Sequence, residues 1–208
     1  GTNGISFAEG NDILRVADGT TITSLDGGSG TDTIIISSTA GVSLPTADNF
    51  ERYIVSDNIH QSLDFSVYSV VSDVELNGGT TIDGSTITLD LGGGQGLTLT
   101  GLTDGDTAAA SLSDGGIRVV QANSLTNLNL ILDDVGPTSS IANENIFIDI
   151  AGVGVSNANI TSGNDSFVVM SNSGGALTSL SLLGSGTMAL GTLPSSVSNI
   201  DGTAASAN

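Results

Sequence analysis

The chain is expected to be all-β, a right-handed parallel β-solenoid of the β-roll or β-helix kind whose short strands are joined by calcium-binding Gly/Asp loops. Three observations carry that expectation. Helix-period patterns are scarce, and Thr, Ile, Val, Gly, Asn and Asp alternate in short blocks instead. One circuit of strand (ILRV), turn (ADGT), strand (TITSL) and loop (DGGSGTD) separates Asp12 from Asp32, 20 residues on, a recurrence typical of solenoids. Residues 27–35 then read GGSGTDTII, which fits every fixed position of the nonapeptide G-G-x-G-x-D-x-U-x, U being a large apolar residue.

In chain order the strands are expected at Ile13–Val16, Thr21–Leu25, Thr33–Ser37, Arg52–Val55, Asp73–Leu76, Thr86–Leu91, Leu97–Leu102, Gly116–Val120, Asn127–Leu132, Asn145–Ile150, Ser166–Met170 and Leu177–Leu183. Between them lie DGT, DGGSG, NGG, DGS, GGGQG, DGD, DGG, SNSGG and GSG, whose Gly and Asp take positive φ or bond their own backbone. An antiparallel sandwich with a turn every 8 to 12 residues also fits short strands between such turns. The spacing near 20 favours the solenoid, although the repeat fades through the middle of the chain. Residues 1–40 are expected to form calcium-binding β-roll rungs, and 41–208 a continuing, irregular solenoid. Near 44–72 the sequence changes: two of the five Phe, both Tyr and the single His lie there, suggesting a capping or inserted turn.

Composition narrows the function. The 208 residues hold 29 Gly, three Arg, no Lys and 22 acidic residues, for a net charge of −19. With so little basic surface, nucleic acid is excluded as a partner. A chain 38% hydrophobic, with positive mean hydropathy, buries enough apolar surface to fold despite its charge. Such uncompensated carboxylates suit a salty or calcium-rich milieu, which screens or bridges them. No stretch approaches 18 apolar residues, so membrane insertion is not expected, and no signal-peptide pattern opens the sequence.

The calcium expectation rests on chemistry. In the 27–35 motif the glycines let backbone carbonyls turn inward, Asp32 adds a carboxylate, and the apolar position anchors the next strand. Calcium takes about 6–8 oxygens, so a single loop needs a neighbour to complete the shell. That neighbour is Gly10-Asn11-Asp12-Ile13-Leu14, the second half of the motif one coil earlier, which sets Asp12 and Asp32 about 4.8 Å apart on adjacent rungs. The expected metal residues are therefore Asp12, Asp32, Gly10, Gly27, Ser29 and Gly30, with Asp165, in a second half-motif at 162–167, as the ligand of a second calcium. Facing loops carry Met188 and Thr98 where the motif has Asp, so they keep the turn and lose the ligand.

The run LDGGSGTDTIII, then NFERYIVSD, SLDFS and VELNGG, resembles modules of Gram-negative surface-layer proteins of the RTX class exported by type I secretion. The resemblance spans roughly Gly10 to Gly79 and continues loosely to Ala205. It implies a calcium-dependent solenoid on the bacterial cell surface, extracellular and self-associating into a lattice or filament; cell-surface polysaccharide is a further expected partner, and no enzymatic activity is expected. The alternatives are an RTX-type adhesin or stalk and a carbohydrate-active β-helix enzyme. For catalysis the residues offer little. His60 has no Cys or Ser partner at a recognisable spacing, and Asp133-Asp134 reads first as a solvated turn before Gly136-Pro137. Arg15, Arg52 and Arg118 are expected to offset nearby Asp charge. The Thr-x-Thr pairs at 86–88 and 98–100 follow from strand propensity.

Overall fold

The computed structural model describes residues 4–17, 22–37, 46–56, 62–68, 70–77, 81–82, 86–104, 116–121, 126–136 and 146–205. Among these there is no helix, and so none long and apolar enough to cross a membrane. Every paired strand is parallel to its neighbour, which makes the chain a parallel β-solenoid and removes the antiparallel sandwich.

The first strand, β1 (Gly4–Ser6), belongs to one face and the second, β2 (Ile13–Val16), to the other, and the chain keeps alternating. The longer face stacks nine strands in the order β2, β4 (Thr33–Ile36), β6 (Arg52–Val55), β8 (Asp73–Leu76), β11 (Gly96–Thr100), β14 (Asn127–Asp133), β16 (Asn157–Ser162), β18 (Ser179–Gly184) and β20 (Asn199–Ala205). The other strands stack in two ladders. One is β1, β3 (Ser24–Asp26) and β5 (Thr46–Asp48); the other is β7 (Leu63–Asp64), β10 (Thr86–Leu91), β13 (Gly116–Gln121), β15 (Ile146–Ile150), β17 (Ser166–Ser171) and β19 (Met188–Ala189). A short third ladder pairs β9 (Thr81–Ile82) with β12 (Thr103–Asp104).

Register gives the coil length directly. Ile13 pairs with Thr33, 20 residues on, and Thr33 with Arg52, 19 on. In the middle Leu97 pairs with Leu130, 33 on, and Asn127 with Asn157, 30 on. Ser179 pairs with Asn199, which restores 20. The long central coils explain why the sequence repeat fades there: more chain separates strands that still stack in register.

Alternation holds each rung in place. On the nine-stranded face Ile34, Ile36, Tyr53, Val55, Val74, Leu76, Leu97 and Leu99 point inward and are buried, and on the other Ile87, Leu89, Ile117, Val119, Ile146 and Ile148 meet them in one continuous core. Each such side chain contributes about 1.5–3 kcal/mol relative to leaving it exposed. A one-residue slip would turn a whole row outward, so register is strongly fixed.

The segment near 44–72 contributes interior rungs. Its strand β6 lies between β4 and β8, paired on both sides, and no helix occurs in its described residues. The aromatic rings that suggested a plug instead fill the core: Phe50, Tyr53, Phe65 and Tyr68 are buried, Tyr53 stacks on Tyr68 with centroids 5.0 Å apart, and Phe65 meets Tyr53 edge-on at 5.6 Å. His60 lies outside the described residues, as does Thr21, where an expected strand begins; the strand observed there is β3, Ser24–Asp26.

Candidate metal centre

Three loops stack along one long edge of the solenoid, where the chain crosses from the shorter ladders to the nine-stranded face. Loop 7–12 leads from β1 to β2, loop 27–32 from β3 to β4, and loop 49–51 from β5 to β6. Backbone hydrogen bonds wedge the second against its neighbours. Ser29 donates its N–H to the Ala8 carbonyl at 3.0 Å, Gly10 donates to the Ser29 carbonyl at 2.9 Å, and Gly27 donates to the Asp48 carbonyl at 2.9 Å. A Cβ on Gly28, whose φ is +85°, would stand 2.0 Å from the Ala8 oxygen; on Gly30 it would stand 1.8 Å from the Gly10 oxygen. These glycines are required because carbonyl oxygens crowd their Cα atoms.

Register aligns Asp12, Asp32 and Glu51, the residues just before β2, β4 and β6, as a column of three carboxylates. Asp12 and Asp32 do meet, but through one carboxylate and one amide: Asp32 Oδ1 accepts the Asp12 N–H at 2.7 Å. Asp32 is 0% exposed, and its other oxygen, Oδ2, is buried with no hydrogen-bond partner. The Asp32 N–H donates in turn to Glu51 Oε2 at 2.7 Å. Beside the column, Asp26 Oδ1 accepts from Asn49 Nδ2 at 2.9 Å and from the Gly28 N–H at 3.0 Å, which hold its carboxyl below the usual aspartate range. Asn11 Oδ1 accepts the Thr31 N–H at 2.9 Å.

On the next rungs the column turns neutral, with Ser72 and then Gln95 in line with Glu51. Gln95 is buried. Its Nε2 donates to the Phe65 and Tyr68 carbonyls at 2.9 and 3.0 Å, and its Oε1 accepts the Gly92 N–H at 2.7 Å. There the chain meets its own inward carbonyls with a side-chain amide. Thr98 lies within β11, where its hydroxyl donates to Asp73 Oδ1 at 3.2 Å.

Asp165 lies on the opposite edge. Its loop leads from the nine-stranded β16 to β17, the reverse of the Asp12 and Asp32 crossings. The facing rung is in register as Ser166 with Met188, so Asp165 opposes Thr187 and accepts its N–H at 2.9 Å, the place Asn11 takes opposite Thr31. That bond keeps the Asp165 carboxyl below its ordinary value. Asp134, Gly163, Asn164, Asp165, Ser185 and Gly186 line an open groove of about 530 Å³ along this edge, and Asn164 Nδ2 donates to Asp133 Oδ1 at 2.6 Å.

An oxygen-rich edge with a buried, unmatched carboxylate oxygen fits a hard cation such as Ca²⁺, which binds carboxylates and carbonyls in irregular geometry. Asp32 and the carbonyls of the 7–12, 27–32 and 49–51 loops could hold it. Among the described residues no three His, Cys, Asp or Glu side chains converge as a metal-holding group, so backbone oxygens must supply part of any shell. The Asp12 loop was found through its motif. Glu51 carries no motif and was missed; the signal for it is its spacing, since it precedes Arg52-Tyr53-Ile54-Val55 as Asp32 precedes Thr33-Ile34-Ile35-Ile36.

Among the described residues, Arg52 and Arg118 form ion pairs. Arg52 bridges Asp73 at 3.2 Å and contacts Glu75, and Arg118 Nε bonds the buried Asp149 at 3.1 Å. Asp149 also accepts from the Ser171 hydroxyl and from the Ser173 hydroxyl and N–H. The chain matches no protein-family model, no curated protein and no solved structure.

Proposed function

We propose that this chain is a calcium-dependent structural segment of a self-assembling, extracellular bacterial surface layer. The observation that carries the reading is the buried Asp32 with its unpartnered oxygen, set in a loop whose glycines lie hard against the carbonyls of the loops on either side. A partnerless buried carboxylate oxygen is costly unless a cation compensates it. When bound, calcium supplies charge compensation and cross-links successive loops. The chain's own residues supply the Asp32 carboxylate, and the Gly10, Gly27, Ser29 and Gly30 backbone sets the loops close together, while Asp12 enters through its N–H, which Asp32 Oδ1 accepts. Asp165 offers a separate ligand on the far edge.

Net charge of −19 couples the same ion to assembly, since copies repel until divalent ions bridge their carboxylates. The test is thermal unfolding with calcium or chelator, together with negative-stain microscopy. Calcium should raise the melting temperature and yield ordered sheets or filaments. An unchanged melting temperature would remove the calcium role, and dispersed particles in calcium would favour an adhesin or stalk.

The groove shared by Asp134 and Asp165 favours a second reading, a carbohydrate-active enzyme. Glycoside hydrolysis needs one carboxyl protonated near neutral pH. The Thr187 N–H holds Asp165 the other way, ionised, so it does not suit the general acid. Turnover of pectin or alginate into new reducing ends or unsaturated sugars would overturn the structural reading.

A further inference from the structure

We propose that the cation held by Asp32 sits between the second and third rungs, completed by the Asn49 carbonyl and the Glu51 carboxylate, neither of which belongs to the glycine motif. The inference rests on the calcium reading above and concerns where the ion lies.

The two Asp32 oxygens divide the space around them. Oδ1 faces the first rung and is occupied by the Asp12 N–H. Oδ2 has no partner and lies on the side of Gly27, 2.7 Å from the point a Cβ of Gly27 would occupy. Asn49 O, from the third rung, lies 2.0 Å from that same point. Two oxygens that share a calcium at about 2.3–2.6 Å can be no more than about 5 Å apart. Their distances to a common point place Asp32 Oδ2 and Asn49 O within that limit. Asn49 has φ +57°, a left-handed conformation uncommon outside glycine, where the chain turns over Gly27. Glu51 brings the second charge: its Oε2 already reaches the Asp32 N–H, which places a carboxylate beside the same residue. Three rungs beyond Asp32, Gln95 serves the inward carbonyls with its own amide, whereas at the Asp32 rung an oxygen is left over.

The experiment is calorimetric titration of calcium into the chelator-stripped 208-residue chain, with melting curves in parallel, for the wild type, Glu51→Gln and Asp12→Asn. Gln at 51 keeps an oxygen to accept the Asp32 N–H but lacks the charge. Glu51→Gln should weaken calcium binding by at least about tenfold and lose most of the calcium-induced melting shift, while Asp12→Asn stays within about threefold of wild type. Glu51→Asp, which retains the charge on a shorter stem, should fall between wild type and Glu51→Gln and serves as the comparison should Glu51→Gln fold poorly. Wild-type affinity in both Glu51 variants, or a loss confined to Asp12→Asn, would overturn the placement and leave the calcium reading intact. A wild type that takes up no calcium would overturn both.

Discussion

Asp149 shows how a carboxylate is kept charged inside this fold. Burial alone would raise its pKa, but bonds from the Ser171 hydroxyl, from the Ser173 hydroxyl and N–H, and from Arg118 outweigh burial and hold it below the ordinary aspartate range. A folded-state pKa below the unfolded one stabilises the fold at pH above the unfolded value, about 3.9, and that contribution is lost as pH falls through the folded pKa. Asp149→Asn should therefore flatten the acid side of the stability–pH profile below about pH 4, as followed by urea unfolding. Asp149→Ala should cost about 2–3 kcal/mol at pH 7, the usual scale for losing hydrogen bonds to a buried charge. The glycines separate conformational from steric need in the same way. Gly28 and Gly94 have nearly equal φ, +85° and +83°, but a Cβ at 94 meets nothing within 4 Å, whereas at 28 it would strike the Ala8 carbonyl. Gly94→Ala should cost about 1–2 kcal/mol, the left-handed penalty alone. Gly28→Ala should cost clearly more and lower the melting temperature further in the same assay.

At the scale of a strand, alternation decides what each residue contributes. In β14, Leu130 is fully buried while its neighbour Ile131 is 42% exposed. Leu130→Ala should destabilise by about 2–5 kcal/mol and Ile131→Ala by under about 0.5 kcal/mol, measured by chemical denaturation. That alternation is also what made the strands legible. Arg52–Val55, Asp73–Leu76 and Thr86–Leu91 were expected at the bounds observed, because each apolar alternation is framed by turn residues. β16 escaped notice because Ala158 and Ile160 are its sole apolar residues and its outward row is Asn157 and Asn159, which bond Asn127 and Asn129 on the rung before. β20 was missed because its Asp201-Gly202 reads as a turn. The glycine motif was legible at both edges, but a motif does not record which sheet follows it. Asp165 therefore carries the same half-motif as Asp12 although it lies on the other side of the molecule.

For the whole molecule, charge and stacking act together. The nine-stranded face runs unbroken from β2 to β20, and the chain it organises carries a formal charge of −19. Light scattering should find monomers in chelator and larger particles in millimolar calcium, with sodium at equal charge reproducing little of the effect, because screening within about 10 Å at 0.1 M does not cross-link carboxylates. Unchanged particle size in calcium would remove this segment from the contacts of any assembly.

The stacking also has a mechanical meaning. Ladder hydrogen bonds join rung to rung along the stacking direction, so tension on the chain ends peels the solenoid one coil at a time, loading few bonds at each step. The coils differ in length, 20 residues between Ile13 and Thr33 but 33 between Leu97 and Leu130. At about 3.5 Å per extended residue, peeling should release roughly 70 Å from a short coil and roughly 115 Å from a long one. A single-molecule force trace would then show two step sizes, the longer confined to the middle of the molecule, where the expanded coils act as reserves of extensible length between stiffer ends.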